Sequence, residues 1–255
     1  MSKLPAAYKF IDLSDYGRPI ARYIALYLKD TNCTPVQVTW LFIVSGLIAI
    51  LGMFFGYYFL AAFFLVLKSI LDAADGELAR LKETPSYTGR FFDSIADILL
   101  NALIFYTLYI ICDISFIYAF FGFLGMQLQG TLYNYYYVIL RNKVNGDTTS
   151  RIFETDTPQA LAGENQRTVN VLFKAYRLLY GVFDKIIYRL DNKAPQGKKL
   201  PNCFMTAVSS FGLGFQLLLI GIFLILGIKE FIIPFFLWYT IMVFIFIAIR
   251  KILNT

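Results

Sequence analysis

Six stretches of about 20 mostly apolar residues run through this chain, near 37–57, 58–80, 89–112, 115–140, 203–227 and 231–249. That is the length a helix needs to cross the hydrocarbon core of a bilayer. The composition agrees: 58% of the 255 residues are hydrophobic, 18% aromatic and only 16% charged. Soluble domains carry closer to a quarter charged residues. The expected fold is an all-α integral membrane protein with six transmembrane helices, forming a single domain over 1–255. Within it, 1–35 reads as a cytoplasmic interfacial segment, 36–140 as helices one to four, 141–201 as a cytoplasmic loop and 202–255 as helices five and six.

Basic residues orient these spans. Lys and Arg favour cytoplasmic loops. Lys3, Lys9, Arg18, Arg22 and Lys29 precede the first span, and Arg80, Lys82 and Arg90 lie between the second and third. The 141–201 segment is rich in Lys and Arg, and Arg250 and Lys251 follow the last span. The opposite loops hold only Lys229. Both termini and the 141–201 segment are therefore expected on the cytoplasmic side, and chain length and simplicity suggest a bacterial cytoplasmic membrane. A net charge of +6 distributed in this way points to bilayer orientation and anionic lipid, not to nucleic acid. The first residues lack the short apolar core of a cleaved signal peptide.

Two cytoplasmic segments have helical amphipathic spacing. In one, Ile20, Tyr23, Ile24, Tyr27 and Leu28 share a face opposite Arg18, Arg22 and Lys29. In the other, 168–190, Leu172, Phe173, Tyr176, Leu179, Tyr180, Phe183 and Ile187 oppose Lys174, Arg177, Lys185 and Arg189. Both are expected to lie on the membrane surface.

The chemistry is concentrated at 72–97. Asp72 and Asp75 are three residues apart, and Asp93 and Asp97 four apart, so on helices each pair shares a face. The second and third spans are joined by a short loop, which lets the four carboxylates meet near one membrane edge. Unpaired carboxylates in an apolar setting cost several kcal/mol. Something positive must sit among them. Lys68 lies one turn before Asp72 and either pairs with it or touches an anionic ligand. Hard divalent cations take oxygen ligands, and a pair of them neutralises such a cluster. The chain has no His, so acid–base and metal chemistry fall to carboxylates. Arg80 offers a planar fork for phosphate oxygens. Gly76, Ala79 and Gly89 leave room either for a ligand near the backbone or for close helix packing.

Together these residues form the pattern D-x2-D-G-x2-A-R-x8-G-x3-D-x3-D, filled by Asp72, Asp75, Gly76, Ala79, Arg80, Gly89, Asp93 and Asp97. This resembles the signature of the CDP-alcohol phosphotransferase (CDP-alcohol phosphatidyltransferase) family. The six-helix layout and the segment Thr34-Pro35-Val36-Gln37-Val38-Thr39 at the first span are also similar to that family. One departure is Val36, where the family usually has Asn. The resemblance implies Mg2+ or Mn2+, two ions per site, held by Asp72, Asp75, Asp93 and Asp97. It implies Asp97 as the general base. It implies donor contacts from Thr39, Gly76, Ala79, Arg80 and Gly89. The expected reaction moves a phosphatidyl group from a CDP-alcohol, with CDP-diacylglycerol favoured, to a small polar alcohol, and releases CMP. A soluble CDP-alcohol donor is the alternative, and the family implies a homodimer.

For the acceptor, Gln127, Thr131, Asn134 and Arg141 fall near one face of the fourth span, and Asn101 extends the Asp93–Asp97 stripe. Such intramembrane polar residues line a cavity or bond to another helix. Two distant alternatives for the chain are an intramembrane prenyltransferase, whose motifs lack the Gly-Ala-Arg set of 76–80, and a cation transporter. Against the transporter, the four acids cluster at one membrane face.

Overall fold

The computed structural model describes residues 4–144, 154 and 156–253, so Lys3 and part of the 141–201 segment lie outside them. All regular structure among the described residues is helical. The long helices are α1 (Arg18–Leu28), α2 (Pro35–Phe54), α3 (Tyr58–Leu81), α4 (Tyr87–Ile111), α5 (Phe116–Lys143) and α6 (Gln166–Leu190). They are followed by α7 (Asn202–Val208), α8 (Leu213–Ile225), α9 (Ile232–Tyr239) and α10 (Ile241–Leu253).

Three stretches are long and apolar enough to cross a membrane: α2, α4 and the run Lys229–Leu253 that contains α9 and α10. A fourth is the pair formed by 202–211 and α8, bent by 53°. The helices α3 and α5 are as long, but they carry polar groups inside the apolar run. These are Lys68, Asp72 and Asp75 on α3, and Gln127, Gln129 and Asn134 on α5. Of these, Asp72 and Asp75 belong to the acidic group described below, whereas Gln129 braces the break between α9 and α10.

Local signals explain the helix ends nearest the site. Thr34 starts α2 with a capping box: its hydroxyl accepts from the Gln37 N–H at 3.3 Å, and the Gln37 side chain accepts from the Thr34 N–H at 2.8 Å. Pro35 occupies the first turn, where its missing N–H costs nothing. Gly56 turns α2 into α3 with φ +79, a conformation that favours glycine. Ser86 caps α4 by accepting from the Gly89 N–H at 2.8 Å. Glu164, from beyond α5, accepts from the Thr88 N–H at 2.7 Å and from the Ser86 hydroxyl at 2.8 Å. Its negative charge suits a helix N-terminus.

Helix α3 is central. It packs along α2, α1 and α8, and α2 also packs on α4. Close approach of α2 and α3 relies on Gly52 against Ala61, and the Ser45 hydroxyl donates to the Phe64 carbonyl at 2.8 Å. Apolar side chains of α2 (Trp40, Leu41, Val44, Leu51), α4 (Leu99, Leu103, Ile110) and α10 (Phe244, Ile245, Ile252) face outward. That outer surface suits lipid.

The amphipathic segments differ in detail from their sequence reading. In α1, Ala21 and Ala25 are the buried face, packed with Ile70, Ala74 and Leu78 of α3. Ile24 and Leu28 side with that core, whereas Ile20, Tyr23 and Tyr27 are exposed. Two alanines bring α1 closer to α3 than bulkier residues would allow. In α6, Val169, Phe173, Phe183 and Ile187 are buried against α4 and α5, and a second apolar stripe of Val171, Leu178, Val182 and Ile186 is exposed.

Breaks in the apolar helices have identifiable causes. At the bend between α7 and α8, Ser14 lies so close to Gly212 and Gly214 that a Cβ at either glycine collides with it. Between α9 and α10, the Gln129 amide donates to the Phe236 carbonyl and the Thr240 hydroxyl, both at 3.0 Å. Gln216 donates to Gln129 at 3.0 Å and to the Met126 carbonyl at 3.2 Å. These amides satisfy polar groups that an apolar surrounding would leave bare.

Gly214→Ala drives a methyl into the Ser14 backbone and to 2.8 Å from the Ser69 hydroxyl. It is expected to destabilise the protein by about 1–3 kcal/mol. Gly181→Ala in α6 meets nothing within 4 Å and is expected to stabilise by about 0.5–1 kcal/mol. Thermal unfolding in detergent compares the two, and equal shifts would refute the packing account of α8.

Candidate active site

The C-terminal half of α3 and the N-terminal half of α4 form a hairpin through 82–86. One carboxylate oxygen from each of Asp72, Asp75 and Asp93 lies within 4.8 Å of the others. Asp75 is buried, and the Thr39 hydroxyl of α2 bonds its Oδ2 at 2.7 Å. Thr39 thus fixes a carboxylate, a role not anticipated for it. Oδ1 of Asp93 is buried and takes no hydrogen bond among the described residues.

Such an arrangement fits a hard cation. Three carboxylate oxygens at this spacing match the oxygen-only coordination that Mg2+ or Mn2+ prefers. An orphaned, buried carboxylate oxygen is costly unless something positive meets it.

Asp97 contributes no oxygen to this group of three. It accepts an ion-pair hydrogen bond from the Lys68 ammonium, which is fully buried. Lys68 therefore bonds Asp97 across the hairpin. The sequence had suggested Asp72, its neighbour along the helix. Lys68 also sits over the Phe42 ring, 5.0 Å from its centroid.

Arg80 is set by a chain of charges. Its guanidinium donates to Glu77 Oε2 at 2.7 Å, and Arg18 of α1 reaches the same oxygen at 3.2 Å. Arg18 in turn holds Asp15 at 2.5 Å. Glu77 occupies a variable position of the motif, so the motif alone gave no sign of it. Its spacing of three from Arg80 on a helix was the available signal.

The glycines differ from each other. A Cβ at Gly76 meets only the Arg80 guanidinium, at 3.6 and 3.9 Å. Among the described residues no other helix comes within 4 Å of it, so their packing does not require glycine there. A Cβ at Gly89 meets Ser86 at 3.3 Å and Val36 at 3.7 Å. Val36, the departure noted in the sequence, therefore stands beside Gly89. Ala79 is half-buried.

The polar residues of α5 separate into groups. Gln127, Thr131 and Arg141 are buried, and the Thr131 hydroxyl bonds the Gln127 carbonyl at 2.8 Å within the helix. Arg141 lies 5.2 Å over the Tyr137 ring. Asn134 is exposed, and with Thr131 it lines a shallow cleft between α5 and α6. Tyr135 and Val138 of α5, Tyr176, Asp184 and Ile187 of α6, and Glu154 complete the lining. Asn101, on α4 one turn beyond Asp97, is buried with its Oδ1 unpartnered.

Helix α6 closes the site's flank. Tyr180 donates to the Ser94 carbonyl at 2.9 Å, Phe173 and Tyr176 pack on Phe91 at 5.5 and 5.3 Å, and Arg90 pairs with Glu154. Tyr180 is a site neighbour; its amphipathic spacing had suggested an anchor first and contact with donor or acceptor second.

An apolar helical bundle that gathers aspartates, an arginine and an unobstructed glycine at one hairpin end is suited to a phosphate-bearing ligand. Residues 32–152 match the family model of CDP-alcohol phosphatidyltransferases. The match contains the whole motif from Asp72 to Asp97, and α6 lies beyond it. No curated protein and no solved structure matches the chain.

Burial pushes the Asp184 carboxyl up from 3.8 to about 6, and the charge of Glu154 acts in the same direction. The folded state therefore holds this proton more tightly than the unfolded chain does. Stability from it is full below about 4 and is lost as pH rises through about 6. Asp184→Asn is expected to raise the melting temperature at pH 8 and leave it unchanged at pH 4. A shift of equal size at both pH values would remove the burial account.

Proposed function

We propose that this protein is an integral membrane enzyme that transfers a phosphatidyl group from CDP-diacylglycerol to a hydroxyl of a small polar alcohol, releasing CMP. The observation that carries the reading is the convergence of Asp72, Asp75 and Asp93 within 4.8 Å inside the stretch that matches the CDP-alcohol phosphatidyltransferase family. Transfer from a CDP-alcohol is what that family implies; the choice of donor and acceptor is our inference.

In this reading Asp72, Asp75 and Asp93 hold Mg2+ or Mn2+, and Asp97 stands by a second ion in the donor complex. When bound, the ions neutralise the diphosphate and stabilise the departing CMP. Thr39 orients Asp75 through its hydroxyl bond. Arg80, braced by Glu77, offers its guanidinium to the phosphates. The open space at Gly76, with Ala79 and Gly89 beside it, takes the cytidine. Asp97 receives the proton of the acceptor hydroxyl. The freed oxygen attacks the β-phosphorus, a new P–O bond forms, and the bond to CMP breaks.

The acceptor approaches from the α4–α6 side. Asn101, with a bare amide oxygen one turn from Asp97, is the first candidate to orient it. Thr131 and Asn134 in the α5–α6 cleft are further candidates; Gln127 and Arg141 are buried and do not line it. Six spans with both termini in the cytoplasm of a bacterial cell, and a homodimer, complete the proposal. The basic loops support that orientation.

The experiment is CMP release by purified protein in detergent, with Mg2+ or Mn2+ and CDP-diacylglycerol, against a panel of polar alcohols. Release that requires one acceptor is the expected outcome. Release only from soluble CDP-alcohols would reassign the donor, and none with either class would overturn the reading. Asp97→Asn is expected to slow release by about 10²–10⁴-fold. Gly76→Leu is expected to abolish donor use with the melting temperature unchanged. A lowered melting temperature would return Gly76 to a packing role.

A further inference from the structure

Lys68 has no solvent exposure, yet it carries an ammonium among acids. Its bonded partner is Asp97, and Asp72 and Asp93 act on the same charge electrostatically. The Phe42 ring shields it from the α2 side. A buried cation persists where it is matched by carboxylates. Here the match is selective, because the carboxylate that bonds Lys68 is the one left out of the Asp72–Asp75–Asp93 group.

The charges can be counted. Four aspartates converge at the hairpin, and one ammonium is built in. A single divalent cation at Asp72, Asp75 and Asp93 brings the fixed positive charge to three against four. A second divalent ion would overshoot unless a further anion came with it. The donor's diphosphate is such an anion.

We propose that Lys68 is a positioning residue that stands in for the second cation: by holding Asp97 it limits the donor-free site to one divalent ion. This rests on the metal reading above and adds a number to it. The second ion enters only together with the diphosphate, so the site does not fill with metal before the donor arrives. Lys68 acts through Asp97 and needs no contact with substrate.

The test counts Mn2+ bound to the full chain in detergent without donor, using the electron paramagnetic resonance signal of free Mn2+. The parent protein and Lys68→Arg are expected to bind one ion per chain, and Lys68→Met two. Adding CDP should raise the parent's count to two. Two ions on the parent without CDP would overturn the proposal and leave the metal reading standing, as would one ion on Lys68→Met. No bound Mn2+ in any protein would overturn both. Should Lys68→Met fail to fold, the double variant Lys68→Met with Asp97→Asn removes both charges of the pair. It is expected to bind one ion with an affinity within about threefold of the parent's, because equal positive and negative charges are removed together. Two ions bound without donor would sink the idea.

Discussion

The repulsion among carboxylates gathered at one end of the α3–α4 hairpin organises much of this protein. Isolated charges at such a position cost several kcal/mol each. The surrounding elements each contribute something that offsets this. Helix α3 supplies Lys68 for Asp97, and α2 supplies the Thr39 hydroxyl for Asp75. The beginning of α1 supplies Arg18, which shares Glu77 with Arg80. Thr39 and Arg18 come from helices packed against the hairpin, and the small residues at those contacts bring them within bonding distance. Ala21 and Ala25 seat α1 on α3, and Gly52 seats α2 on it. The packing of small residues and the placement of charges are therefore one design.

The same bundle must also interrupt its helices without leaving backbone groups bare. Its solution is side-chain amides at depth, Gln129 and Gln216, directed at the break between α9 and α10. Farther along, Arg250 and Asp191 form a buried ion pair, with Tyr136 donating to Asp191 at 2.7 Å and Tyr135 to its backbone carbonyl at 2.8 Å. That knot ties the last helix, the end of α6 and the middle of α5 together. One member alone would be a buried charge without a partner; as a set they fix the register of three elements.

Much of this was legible in the sequence, for particular reasons. The hairpin was readable because Asp72, Asp75, Asp93 and Asp97 have helical spacing on either side of a short polar loop. The start of α2 was marked by Thr34-Pro35 and Gln37, a cap whose chemistry is local. What was not legible depends on distance between helices. Lys68 was one turn from Asp72 along the chain, but the hairpin brings Asp97 closer. Ile24 and Leu28 belonged to one apolar face with Tyr23 and Tyr27 by periodicity, but α3 takes only the side bearing the alanines. Glutamate at 164 has no helical spacing to the motif, and reaches α4 only because the chain returns past its N-terminus.

The return of the chain through α6 divides the site in physical terms. Every motif residue lies within the matched stretch 32–152, whereas Tyr176, Tyr180 and Asp184 lie beyond it. Under the proposed metal role the hairpin's carboxylates must keep a fixed spacing, which restricts what can change there. The α6 wall is bound by no such geometry. Aromatic rings hold it to Phe91, Tyr176 also bonds Arg90, and Tyr180 bonds the Ser94 carbonyl, which any residue at 94 would offer. Side chains on this wall can therefore change size and charge while the cation-sized spacing of the acids stays intact. A transferase that keeps one nucleotide chemistry and varies its alcohol has reason to place the variable part there. In the proposed reading, the cleft between α5 and α6, with carboxylates at 154 and 184 and neutral hydroxyl and amide groups opposite, is the place to read that alcohol.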